Sequence, residues 1–77
     1  MMRKIRCVET GRDPKGSVFV CWTPEGDVVL KARKLAPYKY DVFSEFPYMK
    51  YKTVMYASRR AELRRKIEEW LEKLLGE

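Results

Sequence analysis

The sequence predicts an α+β fold, a three- to four-stranded antiparallel β-meander packed on one C-terminal α-helix. Three observations carry that expectation. β-branched and aromatic residues run in short blocks through the first two-thirds of the chain, turn residues punctuate them, and one apolar stripe at helical spacing fills the last third. In 77 residues this leaves room for a single small domain, residues 1–77. A domain of that size buries about 60% of its unfolded surface and encloses little space for a substrate.

Residues 3–10 and 17–23 read as paired strands, with Asp13-Pro14 supplying turn chemistry between Gly11 and Gly16. Thr23-Pro24-Glu25-Gly26-Asp27 has Pro and Gly where a type I turn with a following bulge wants them, and this opens a third strand over 27–35. Residues 50–57 are β-branched and aromatic enough for a fourth. The helix is expected over 58–75, with Ser58 as N-cap and Gly76 as stop. Its apolar stripe is Leu63, Ile67, Trp70, Leu71 and Leu74, which one face of the sheet must cover.

Committing to a register assigns the faces. The Pro24–Gly26 turn would pair Trp22 with Val28, Val20 with Leu30 and Val18 with Ala32. A first hairpin symmetric about Pro14 would set Arg6 opposite Trp22 and Val8 opposite Val20. Alternation then collects Val8, Val18, Val20, Trp22, Val28, Leu30 and Ala32 under the helix, with Arg6 at the margin. The other face would carry Arg3, Ile5, Cys7, Phe19, Cys21, Val29, Lys31 and Arg33.

The same register sets Cys7 opposite Cys21, and both a pair of buried thiols and a cross-strand disulfide fit that placement. The chain has no His, which removes the usual general base, the usual neutral metal ligand and a Cys/His zinc site within one chain. Asn and Gln are absent too, while Lys, Arg and Glu are abundant. That is the composition of heat-adapted proteins, and it points to an archaeal or viral source from a hot habitat. Disulfides are tolerated inside such cells.

Residues 36–51 hold Tyr38, Tyr40, Phe43, Phe46, Tyr48 and Tyr51 and read as a long connection. It could close the open end of the sheet with Phe43 and Phe46, stack Tyr38 and Tyr40 on nucleic acid, or anchor a protein partner.

On the helix, Arg59, Arg60, Arg64, Arg65 and Lys66 precede Glu68, Glu69 and Glu72, an order that opposes the macrodipole. Arg64–Glu68 and Arg65–Glu69 pairs would recover part of the cost. No apolar run approaches the roughly 18 residues of a membrane span, and no signal peptide follows Met1, so a cytoplasmic protein without a membrane partner is expected.

With a net charge of +6 and no recognisable catalytic constellation or cofactor motif, the expected function is non-catalytic binding of DNA or RNA with little sequence specificity. The proposed phosphate contacts are Arg3, Arg6, Arg12, Lys15, Lys31, Arg33, Arg59 and Arg60, with Tyr38 and Tyr40 as stacking groups. The alternative is an interaction or inhibitor module that binds an acidic protein through the aromatic stretch and basic edge. A homodimer through a free strand edge is a third arrangement.

Overall fold

Turn chemistry divides the described residues into five strands and one helix. The computed structural model describes residues 5–13, 16–44 and 51–75. The strands are β1 (Arg6–Asp13), β2 (Gly16–Thr23), β3 (Gly26–Ala36), β4 (Lys39–Ser44) and β5 (Lys52–Tyr56), followed by α1 (Arg60–Leu75). They form one antiparallel sheet in the order β1-β2-β3-β4-β5, with α1 laid on one face. This is the α+β meander expected, with five strands instead of three or four. No helix among the described residues is long and apolar enough to cross a membrane.

The additional strand is β4, which lies inside the aromatic stretch. Its Tyr40, Val42 and Ser44 point into the helix side, while Lys39, Asp41 and Phe43 point away. A two-residue turn at Pro37-Tyr38 connects it to β3, and Tyr38 adopts a left-handed backbone with φ 70°. Phe43 therefore does not close the end of the sheet, and Phe46 and Tyr48 lie outside the described residues.

The first hairpin has the expected pairs, Arg6 with Trp22, Cys7 with Cys21 and Val8 with Val20. A bulge between Glu9 and Gly11 inserts Thr10 and reconciles these pairs with Asp13 opposite Gly16 at the turn. The second hairpin departs by one residue: Trp22 pairs with Asp27, Val20 with Val29 and Val18 with Lys31. Its loop is two residues long, because Thr23 Oγ1 accepts the Glu25 N–H at 3.1 Å and donates to the Gly26 carbonyl at 2.6 Å. Gly26, at φ 119°, makes the reversal that a side chain would strain.

That slip exchanges the faces of β1 and β2. Ile5, Cys7, Phe19 and Cys21 are buried with Leu30, Ala32 and Val42 beneath Leu63, Ile67 and Leu71. Val8, Val18, Val20 and Trp22 instead lie on the face away from the helix, as does Arg6. Each fully buried Leu, Ile or Phe contributes about 1.5–3 kcal/mol relative to exposure. Trp70 is half-buried and meets Tyr51 edge-on at 6.4 Å, whereas Leu74, counted in the stripe, is exposed. Cys7 and Cys21 form a cross-strand disulfide, their Cα atoms 4.0 Å apart.

The helix also covers the start of one sheet edge. Glu68 Oε2 accepts the Cys7 N–H at 2.8 Å and Glu72 Oε2 the Ile5 N–H at 3.2 Å, so two acids one turn apart satisfy amides that face away from β2. Glu68 is thus engaged by the strand and not by Arg64. Of the expected helix pairs, Arg65–Glu69 is present at 3.4 Å. Arg59 occupies the N-cap position, its carbonyl accepting the Leu63 N–H at 2.9 Å. Ser58, one residue earlier, donates both its N–H and its hydroxyl to Glu62. Gly76 lies outside the described residues.

Candidate nucleic-acid interface

With α1 on one face, the other face of the sheet is open, and its composition follows from the register. Cross-strand rows run Arg6–Trp22–Asp27, Val8–Val20–Val29, Gly11–Val18–Lys31–Phe43–Lys52, Asp13–Gly16–Arg33–Asp41–Val54 and Lys39–Tyr56. Five cations, Arg6, Lys31, Arg33, Lys39 and Lys52, therefore share the face with Trp22, Phe43 and Tyr56. Trp22 is 47% and Tyr56 58% exposed, while Phe43 is half-buried under the Arg33 guanidinium, 5.9 Å from its ring centroid.

By register the acids on this face are Asp13, Asp27 and Asp41, fewer than the cations. Asp41 is 9% exposed and its Oδ2 meets Arg33 at 3.3 Å, while its Oδ1 is buried without a hydrogen-bond partner among the described residues. Arg6, Lys39 and Lys52 make no ion pair among the described residues. A cleft of about 400 Å³ opens between Gly11 and Gly16, with Val18 and Phe43 beside it and Arg12, Lys31 and Arg33 around it.

The residues singled out by sequence separate into two groups. Arg6, Lys31 and Arg33 lie together on the open face, Arg6 having moved there with the exchanged strand. Tyr38 is 61% exposed at the β3–β4 turn. Arg59 is exposed at the start of the helix. Tyr40 is not available for stacking, because it packs against the core on the helix side. Arg60 is also committed: its Nη1 donates to Glu9 Oε2 at 2.8 Å and to the Ser17 hydroxyl, tying the helix start to β1 and β2. Arg12 reaches the same Glu9 at 3.4 Å from the end of β1. Arg3 and Lys15 lie outside the described residues.

Two carboxyl groups are held below their ordinary value. Burial pushes Glu9 up, but hydrogen bonds from Ser17, Arg60 and Arg12 outweigh it. Glu62 is lowered by the Ser58 N–H, then by the Ser58 hydroxyl. Both stay ionised at neutral pH and belong to the frame, not to the open face.

Trp22, Lys39, Phe43, Lys52 and Tyr56 were missed as site residues by sequence reasoning. The alternation of Lys39, Asp41 and Phe43 with Tyr40, Val42 and Ser44 was the available signal for β4. No protein-family model, curated protein or solved structure matches the chain.

Proposed function

We propose that the chain is a non-catalytic nucleic-acid-binding protein that lays a single strand of DNA or RNA across the open face of its sheet. The observation that carries this reading is the sharing of one face by five cations and three aromatic rings, two of them well exposed. Cations hold the backbone phosphates, and Trp22 and Tyr56 offer flat surfaces on which bases stack whatever their identity. A duplex keeps its bases stacked inside, so exposed rings gain most from a strand whose bases are free. The face carries no array of paired donors and acceptors for reading base edges, which supports weak sequence preference.

The test is fluorescence anisotropy with single- and double-stranded DNA and RNA at about 50 and 200 mM salt. Single strands should bind more tightly than duplex of equal length, and the affinity should fall steeply with salt. Salt-independent binding, or none at the lower salt, would reject the mechanism.

One observation favours a second reading. Val8, Val29 and Val54 are exposed among the cations, and such a mixture also suits an acidic protein with an apolar centre. A partner bound in that way would survive Trp22→Ala far better than a stacked strand would.

A further inference from the structure

The geometry points to the cleft between Gly11 and Gly16 as the seat of one nucleotide, its phosphate held by Arg33 and its apolar part set against Val18 and the edge of Phe43. This rests on the nucleic-acid reading above and names where the strand is gripped.

The two glycines have different reasons to be glycine. A Cβ on Gly16 would stand 2.1 Å from the Ala32 carbonyl oxygen, so the approach of the β2 and β3 backbones requires its absence. Gly11 has no such requirement. A Cβ there would meet the Val18 side chain at 3.7 and 3.8 Å, ordinary contact, and Gly11 is not among the residues with positive φ. Packing and backbone conformation both allow a side chain at Gly11, and what a larger one would occupy is the cleft.

The cleft's volume of about 400 Å³ falls within the range of small-molecule sites. Its surroundings ask for an anion joined to a flat or apolar body. Arg33 makes one long ion pair, 3.3 Å to Asp41, and lies over the Phe43 ring, with about three-fifths of its side chain exposed. A phosphate offers that guanidinium a shorter, two-point contact. Asp41 spends only one of its oxygens on Arg33, and Gly16, the register partner of Arg33, has no side chain to fill the space beside it. Phe43 and Val18 supply the apolar surface.

The experiment titrates the full chain with a 5′-phosphorylated thymidine dinucleotide, with the same dinucleotide lacking the 5′-phosphate and with inorganic phosphate, following backbone amides by NMR. Shifts clustered on Gly11, Gly16, Val18, Arg33 and Phe43, largest for the phosphorylated dinucleotide, support the seat. Shifts confined to the Trp22 and Tyr56 ends overturn it. Gly11→Leu fills the cleft without removing charge, so it should weaken oligonucleotide binding roughly tenfold or more, one nucleotide's contacts, and lower the salt slope by the ~0.7 of one phosphate contact. If thermal melting shows that Gly11→Leu unfolds, Gly11→Ala is read by the same NMR titration and should reduce the cluster of shifts. Wild-type affinity in the filled variant, beside steep salt dependence in both, removes the cleft but keeps the nucleic-acid reading. Absence of oligonucleotide binding by the wild type at low salt removes both.

Discussion

Replacing Lys39 and Lys52 by alanine isolates the electrostatic role of the open face, because both lie on it and neither makes an ion pair among the described residues. If each of Arg6, Lys31, Arg33, Lys39 and Lys52 neutralises one phosphate of a single strand, log affinity falls against log salt with a slope of about −3.5. The double variant keeps three contacts and a slope of about −2.1. Between roughly 50 and 200 mM salt the wild type then loses about a hundredfold in affinity and the variant about twentyfold. Anisotropy with a labelled single strand measures both slopes. The control is Arg64→Ala with Lys73→Ala, which removes the same charge from exposed helix positions. Its slope should equal the wild type's. Equal flattening by both pairs would mean that net charge alone drives binding, and the argument from a shared face would fail.

Breaking the Cys7–Cys21 bridge by reduction, or by Cys7→Ala with Cys21→Ala, should cost about 3 kcal/mol for a link across 14 residues, read from urea unfolding with and without reductant. Tyr38→Gly relieves a left-handed tyrosine and should stabilise the fold by about 1 kcal/mol, while removal of an exposed ring lowers affinity for single strands. Glu9 and Glu62 both titrate below their ordinary 4.5, so their contribution to stability is complete above that pH and is lost as pH falls through the lowered values. Thermal melts from pH 7 downward should therefore hold until about 4.5 and then drop, and Glu9→Gln should make the drop shallower.

How much of this was legible beforehand depends on the element. The helix was readable because Leu63, Ile67 and Leu71 repeat on one face and no competing pattern crosses them. The opposition of Cys7 and Cys21 was readable too, although the agreement depended on a bulge at Thr10 that no residue announces. The second hairpin was not, since Pro24-Glu25-Gly26 fits a two- or a three-residue loop and the choice rests on the Thr23 hydroxyl. One residue of slip there reversed two strands and moved Trp22 from core to surface. Within the site, Lys31 and Arg33 were placed on the open face because β3 kept its predicted side. Arg59 and Arg60 look equivalent in sequence, and only the arrival of Glu9, distant along the chain, commits one of them to the frame. Strand β4 was hidden by composition: its inward residues include Ser44 and its outward ones include Phe43, which blurs the usual contrast.

The carboxylates of Glu68 and Glu72 have a consequence for self-assembly. They occupy the Ile5 and Cys7 amides at the start of the β1 edge, whereas at β5 the helix hydrogen-bonds only the Tyr56 carbonyl, through Lys66, among the described residues. An edge whose amides are already taken at one end cannot pair there with the strand of another chain. The two glutamates thus guard the Ile5–Cys7 end of the sheet against strand addition while they hold the helix in place.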